Sequence, residues 1–384
     1  MSPRAPAPED FPSRLRSPAV TSRVGVWLGI TFGVCFLTGL VSHYAQLPQQ
    51  PVPFPANPAW GYRVTQGLHV ISGAAAVPLL LVKLWTVYPR LFLRPPRRAR
   101  ALMVEAAERG SVGVLVASAV FLLATGLVNM TAWYPWEFSF RTTHYALAWA
   151  AVGALVLHVA VKLPRIRLAL GADLDDRSLD RASATEPGVL TRRGLLRTTW
   201  LAAGVAVVAT AGNSVGWLRD VSVLAVRSSD GPQGLPVTKS AAAAGVLETA
   251  TDPAYRLEVE HAGRTLALAL EELRAMPQTT ETLPIACVEG WSENAEWTGV
   301  QLRTLMDLVG APAGSAVGFE SLQQSGPFRT SVLPAGFADD DRTLVALRLN
   351  GEPLSIDHGY PARLIAPNRP GVRQTKWLAR VVSA

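Results

Sequence analysis

Long apolar runs separated by short polar segments fill the first half of the chain, and the pattern changes in the second half. Five runs, Val24–Ser42, Leu68–Tyr88, Ser111–Met130, Thr143–Leu163 and Thr199–Leu218, approach the roughly 20 helical residues needed to cross a hydrocarbon core. They predict five membrane helices. From Tyr255 onward, short runs of strand character cover Tyr255–Glu260, Thr282–Val288, Ala316–Leu322, Arg329–Leu333, Leu344–Leu349, Arg363–Ala366 and Trp377–Val382. An Ala-Gly turn after His261 marks a hairpin, and Leu270–Met276 and Gln301–Val309 carry helical spacing. A stretch of this size can bury a core of its own. Residues 228–250, rich in Ser, Gly, Pro and Ala, read as the body of a linker spanning 219–250.

Composition agrees with this division: 49% of the 384 residues are hydrophobic and 17% charged, which excludes a purely soluble globule. The net charge of +7 is unevenly placed. Residues 1–218 carry 21 Lys and Arg against 10 acidic residues, whereas residues 219–384 carry 15 against 19. Because the excess sits among the apolar runs, it reports membrane topology rather than nucleic-acid binding. Arg4, Arg14, Arg16 and Arg23 lie in the tail, six Arg in the 89–110 loop and seven in the 164–198 loop, while the other two loops hold only Arg63 and Arg141. The positive-inside rule then places the tail and both Arg-rich loops in the cytoplasm, and five crossings place everything after about residue 218 outside.

The expected organisation is a membrane α-helical bundle followed by an extracytoplasmic mixed α/β domain. Its parts are a tail (1–23), a four-helix domain (24–165), a cytoplasmic loop (166–198), a fifth helix (199–218), a linker (219–250) and an outer domain (251–384). The Pro-rich loop from Pro48 to Pro58 and the Trp133-Tyr-Pro-Trp136 segment read as interfacial caps. Thr191-Arg-Arg-Gly-Leu-Leu-Arg197, just before the fifth run, resembles the twin-arginine export signal. That route carries folded proteins and suits a domain that receives its cofactor before crossing. Helix five would then be a signal anchor, with Ala209-Thr-Ala211 offering a cleavage site as the alternative. A plain basic flank is the other reading of the motif.

Four of the six histidines, His43, His69, His144 and His158, lie in or beside the apolar runs, where an imidazole is costly and usually functional. His144 and His158 are 14 residues apart, about 21 Å and four turns less about 40°, so they share one face at opposite depths. That arrangement suits a bundle holding haem by axial imidazoles, and His69 lies at the depth of His144. With His69-Val-Ile-Ser-Gly73, residues 20–165 resemble the cytochrome b561 and hydrogenase/formate-dehydrogenase cytochrome b families. The resemblance implies haem b and electron exchange with quinone or quinol. His158 lacks an inner partner, so one outer haem on His69 and His144 is expected. His43 would replace either ligand or bond a propionate, and histidines without haem are the alternative.

Two cysteines, Cys35 and Cys287, do not make a disulfide framework or a thiolate zinc site. By itself Cys287 reads as a small buried hydrophobe or a lone thiol. Its setting says more: Leu283-Pro-Ile-Ala-Cys-Val-Glu-Gly-Trp-Ser292, then Trp297-Thr-Gly299, resembles the molybdenum-binding segment of the sulfite oxidase superfamily, especially its methionine sulfoxide reductase branch. Leu349-Asn-Gly-Glu-Pro-Leu354, His358-Gly-Tyr-Pro-Ala-Arg363 and Gly371-Val-Arg-Gln-Thr-Lys-Trp377 extend the resemblance over residues 235–382. It implies that Cys287 supplies a thiolate to molybdenum, that His358 and Arg363 hold the phosphate of molybdopterin, and that Ser321, Gln374, Thr375 and Lys376 contact the same cofactor. A soft thiolate suits a high-valent metal, and Arg offers phosphate a two-pronged fork.

One departure bears on substrate. Val288-Glu289-Gly290 stands where sulfite oxidases carry an Asn-Arg pair, so an acidic Glu289 beside the metal would repel sulfite and favour a neutral oxidised substrate. Arg329 in Pro327-Phe-Arg-Thr330 either restores positive charge or is a surface strand residue. The expected protein is a molybdenum oxidoreductase of the cytoplasmic (inner) membrane. It would reduce an S-oxide or N-oxide, as a small molecule or as oxidised protein methionine, with quinol electrons passing through haem b. Sulfite oxidation into the quinone pool, or a non-catalytic scaffold, are the alternatives.

Overall fold

A computed structural model describes residues 6–47, 50–93, 96–225 and 231–383. Arg4, Pro48 and the 228–230 stretch of the expected linker lie outside the described residues. The chain forms two compact units: Met1–Leu37, Leu68–Asn129 and Trp133–Ala211 in one, and Thr38–Gly67, Met130–Ala132 and Gly212–Ala384 in the other.

The helices are α1 (Pro18–Ala45), α2 (Gly61–Val87), α3 (Ala99–Met130), α4 (Phe140–Gly171) and α5 (Arg192–Thr210); the first unit holds most of their length, while the end of α1 from Thr38 and the start of α2 to Gly67 belong to the second. Among the described residues these five helices are long and apolar enough to cross a membrane. Large apolar side chains such as Leu81, Val156 and Leu201 point outward, as in helices with apolar surroundings. Val20, Val24 and Leu79 form a buried cluster with Leu28, Val82, Leu195 and Leu196 packed against it.

The helices outrun the apolar stretches where good helix formers continue the sequence. Thus α3 begins at Ala99 rather than Ser111, through Ala, Leu, Met, Glu and Arg residues. Helix α5 does the reverse, ending at Thr210 instead of Leu218, with 3₁₀ turns at Ala211–Asn213 and Gly216–Val221. Gly212, Asn213 and Ser214 are poor helix formers, and the Gly212 amide donates to Ser222 Oγ (2.8 Å).

At the start of α5 the two arginines of the export-like motif differ. Thr191 caps the helix, its hydroxyl accepting from the Gly194 amide (3.0 Å). Arg192 is buried, donates to the carbonyls of Arg14, Leu174 and Asp176, and pairs with Asp180. Arg193 is exposed and meets Asp175 at 3.3 Å. Arg192 is therefore an internal clamp of this unit, a role that a basic flank does not require.

In the second unit the strands are β1 (Arg256–His261), β2 (Arg264–Ala269), β3 (Thr279–Ala286), β4 (Ser292–Gln301), β5 (Val317–Ser321), β6 (Thr330–Leu333), β7 (Leu344–Leu349), β8 (Glu352–Pro353), β9 (Arg363–Ile365) and β10 (Leu378–Ser383). One sheet runs β2-β1-β10-β5-β6, with β1 and β10 parallel; the other runs β3-β4-β7-β8, with β9 also on β7. Ala262 and Gly263, both at positive φ, turn the β1–β2 hairpin. Leu257, Val259, Phe319, Val345 and Val381 belong to one core, and Leu283, Ile285, Trp297 and Leu349 to another.

The structure adds one strand and corrects two expectations. The polar stretch after Cys287, which carries no strand signal in the sequence, is β4, paired with β3 from Ser292 to Gly299. Its polar residues hid an alternating pattern in which Ala295, Trp297 and Val300 are buried. Residues 231–250 are not a free linker, because Leu235, Ala241, Val246 and Ala250 are buried in this unit. The Pro-rich loop is more than an interfacial cap. Phe54 packs beside Tyr62 and Ala286, while Asn368 donates to the Pro55 carbonyl (2.7 Å) and accepts from the Tyr62 amide (2.5 Å).

Candidate active site

Cys287 directly follows β3 and is buried in a tight turn. Its amide donates to the Trp291 carbonyl (2.9 Å), and its carbonyl accepts from the Gly290 amide (3.1 Å) and from Gln66 Nε2 (3.2 Å). Gly290 turns the chain at φ 84°. The cysteine lines a cavity of about 280 Å³ together with His358, Arg363, Gln374, Thr375 and Lys376. Six of the residues singled out in sequence therefore meet around one space.

The elements around the cavity fix these side chains. Gly359, at φ 111°, lets the chain turn after His358, where a Cβ would lie 3.1 Å from the Cβ atoms of Arg363 and Lys376. His358 Nε2 lies 2.7 Å from the Pro232 carbonyl, so that nitrogen carries the proton. Burial, with the neighbouring Arg363 charge, pushes the imidazole down to about 4 and keeps it neutral. Gln374 is anchored at both ends of its amide by the Ala366 backbone (2.7 and 3.2 Å), and Thr375 Oγ1 meets Ser331 Oγ at 2.7 Å.

Arg363, on β9, donates to the His358 carbonyl (2.9 Å) and lies over the Trp297 ring at 5.0 Å. Its Nε is buried without a partner, and burial pushes the guanidinium down to about 9. Lys376 Nζ donates to the carbonyls of Lys239 (2.5 Å) and Asp357 (2.8 Å), and burial followed by the Arg363 charge pushes it down to about 7. Lys239 completes a wall with three cationic side chains, and no Asp or Glu is among the described residues lining it. A buried guanidinium with an unanswered N–H beside a lysine is a site for an anion. The donor set fits a phosphate-bearing cofactor whose metal takes a thiolate.

Three expected site residues are placed elsewhere. Glu289 is buried but does not line the cavity; its Oε2 accepts from Trp291 Nε1 (3.2 Å) and Thr238 Oγ1 (3.3 Å). Thr238 Oγ1 also lies 3.4 Å from Cys287 Sγ, so Thr238 links the carboxylate to the cysteine. Ser321 is spent on the Lys376 carbonyl (2.8 Å) and so braces the lysine from behind. Arg329 lies on the surface, 3.8 Å from Glu320. Conversely, Thr238, Lys239 and Gln323 line the cavity unforeseen. The first two fell in a stretch whose composition imitates a linker, although Thr238-Lys239 between hydrophobic Val237 and the Ser240 helix cap was a usable signal.

In the helical unit the ring centroids of His69 and His144 lie 6.3 Å apart, their planes inclined at 60°. Two metal–imidazole bonds of about 2 Å, with the distance from each nitrogen to its ring centre, span about this length. His69 Nδ1 bonds the Cys35 carbonyl (2.9 Å), and His144 Nδ1 lies 3.5 Å from Thr125 Oγ1. Such contacts orient metal-bound imidazoles and direct Nε2 toward the metal. The pair therefore fits an iron held between two histidines. His158 is half-buried on α4 near Lys83, Lys162 and Glu108, and His43 is half-buried near the end of α1.

Residues 244–384 match the family described as oxidoreductase molybdopterin binding domain. The chain is similar to mitochondrial sulfite oxidase of Drosophila melanogaster, 33% identical over 34% of this chain and 27% of that one. It is also similar to a protein of Azospira oryzae provisionally named protein-methionine-sulfoxide reductase subunit YedZ1, 33% identical over 32% of this chain and 47% of that one. Among solved structures, sulfane dehydrogenase SoxCD from Paracoccus pantotrophus is similar at 28% identity, covering 34% of this chain and 38% of that one, with a TM-score of 0.32. The chain spans from about a quarter to about half the length of these relatives. It carries a molybdopterin-binding oxidoreductase domain.

Proposed function

We propose that this protein is a membrane-embedded reductase of S-oxides or N-oxides that draws electrons from quinol at the outer histidine pair and delivers them to the cysteine cavity. The observation that carries the reading is Cys287 on a cavity walled by Lys239, Arg363 and Lys376, with no carboxylate among the described lining residues. Molybdenum held there would supply two-electron oxygen-atom transfer. Cys287 would give the thiolate, Arg363 Nε and Lys376 Nζ would hold the phosphate, and neutral His358, tied to Pro232, would keep its Nδ1 as an acceptor. Haem held by His69 and His144 would supply single-electron steps. The five helices lie in the cytoplasmic membrane with the α/β domain outside, as the arginine distribution argues. The similarity to the YedZ1 subunit, whose name attaches to methionine sulfoxide, favours a sulfoxide, free or on protein methionine.

A second reading, sulfite oxidation into the quinone pool, is favoured by one observation. Glu289 is turned away from the cavity, so the carboxylate expected to repel sulfite does not face it. Purified membranes separate the two. Quinol-dependent reduction of methionine sulfoxide is expected, with no haem reduction on adding sulfite. Sulfite-dependent haem reduction without sulfoxide turnover would replace the first reading by the second. Pure protein without molybdenum would overturn both.

A further inference from the structure

Within the helical unit, at the end that carries the basic loops, four arginines come together from separate stretches of chain. Arg16 precedes α1, Arg90 lies in the 3₁₀ turn Tyr88–Phe92 that continues α2, Arg165 is on α4, and Arg181 is in the loop that follows α4. The charges of Arg16 and Arg181 act on one another, and Arg90 feels both Arg165 and Arg181. None of the four forms an ion pair among the described residues. The acids nearby are used elsewhere or out of bonding reach: Asp180 pairs with Arg192, Glu108 pairs with Lys162, and Glu9 acts on Arg181 only at a distance. Like charges held together repel, so this cluster costs free energy until an anion joins it.

The arginines are held by rings and backbone instead of by carboxylates. Phe11 stacks on Phe92 (5.5 Å) and meets Tyr88 edge-on (5.4 Å), while its carbonyl accepts from Arg181 Nη2 (3.1 Å). The Arg16 guanidinium lies 4.4 Å over the Trp85 ring and 5.0 Å over Phe11. Arg16 Nε and Nη1 and Arg181 Nη1 are buried without a hydrogen-bond partner. A basic flank needs charge on one side of the membrane; it does not need arginines from four stretches fixed side by side with unanswered N–H groups.

We infer that these four arginines hold the phosphate of an anionic phospholipid whose acyl chains lie along α2. Guanidinium groups match phosphate oxygens in charge and geometry, and basic pockets between membrane helices suit lipid headgroups. Leu81, Trp85 and Leu91 are exposed on α2 and the turn after it, which gives the chains an apolar surface beside the arginines. A free phosphate ion offers the same oxygens but has no use for that surface.

The test uses the full-length protein with its cofactors, purified in detergent and washed free of lipid. It is titrated with phosphatidylglycerol or phosphatidylcholine at fixed ionic strength, and bound lipid is counted by native mass spectrometry. Arg90→Gln with Arg165→Gln takes two charges from the cluster; Arg97→Gln with Arg98→Gln takes two exposed charges from the neighbouring loop. The parent should retain phosphatidylglycerol in preference to phosphatidylcholine. The first pair should bind phosphatidylglycerol roughly twentyfold more weakly, at about a factor of five per arginine beside an anionic headgroup. The second pair should bind as the parent does. Equal weakening in both pairs would overturn the inference and leave a general basic flank, and so would equal binding of the two lipids by the parent. Release of phosphatidylglycerol by millimolar inorganic phosphate would also overturn it, making this a site for free phosphate. If neither double variant accumulates, the two arms on the parent decide.

Discussion

Arg363→Met should have opposite consequences in the molybdenum-free and molybdenum-loaded protein. In the free protein the guanidinium is buried, its Nε unanswered, and burial pushes it well down from its ordinary value, to about 9. At about 1.4 kcal/mol for each pH unit, holding the charge at neutral pH costs about 5 kcal/mol. The bond to the His358 carbonyl returns about 2 kcal/mol as a charge-assisted hydrogen bond, and the Trp297 face about 1 to 2 kcal/mol. The remainder is about 1 to 2 kcal/mol of destabilisation, which methionine, of similar length and without charge, relieves. The melting temperature of detergent-purified protein grown without molybdate should therefore rise by about 2–4 °C per kcal/mol. In protein grown with molybdate the same change removes one partner of a buried anion pair, worth about 2–5 kcal/mol. Molybdenum content should fall at least about tenfold, at about 1.4 kcal/mol per decade. Thermal melts and metal analysis read the two effects. A variant that retains its molybdenum, or that melts several degrees lower in the molybdenum-free form, would refute the assignment of Arg363 to an anion and make it a structural residue.

Cys287→Ser should remove sulfoxide reduction and most of the molybdenum while leaving the reduced haem spectrum intact, as measured by metal analysis and absorbance on one preparation. His69→Ala or His144→Ala should abolish the b-type absorbance, and His158→Ala should leave it. Loss of one of two resolvable haems in His158→Ala would show a second site. His358 titrates at about 4 when folded, below its ordinary value, so the unfolded chain binds the extra proton first as pH falls. Stability of the molybdenum-free protein should drop as pH falls from about 6.5 to about 4, and His358→Gln should flatten that part of a denaturation series. Arg192→Met should destabilise the helical unit by about 3 kcal/mol, since it leaves buried Asp180 without its partner, whereas exposed Arg193→Met should not alter its melt.

Sequence periodicity alone determined the broad division of this protein. A run of some 20 apolar residues has one economical fold, the helix, because backbone groups in apolar surroundings must bond internally. For that reason the five helices were legible, as were β7 at Leu344–Leu349 and the Ala262-Gly263 turn. The cysteine turn and the His358–Arg363 and Gln374–Lys376 segments were legible only through their resemblance to the sulfite oxidase superfamily, since a lone cysteine or histidine carries no local pattern of its own.

Tertiary structure decided which of these residues face the cavity. Direction depends on partners distant in sequence: Glu289 is held by Trp291 and Thr238, Ser321 by the Lys376 carbonyl, and Arg329 is left on the surface beside Glu320. The same cause hid β4, whose backbone is paired by β3 and β7 on either side while Asn294 and Glu296 stay exposed, and the 231–250 segment, whose small residues pack as readily as they flex. Helix α5 stops at Thr210 because Ser222, twelve residues on, takes the Gly212 amide. The bond from Gln66 to Cys287, 221 residues apart, has no trace in local pattern. Spacing along a chain records what a segment can form by itself, whereas burial and bonding between distant segments settle what each side chain is used for.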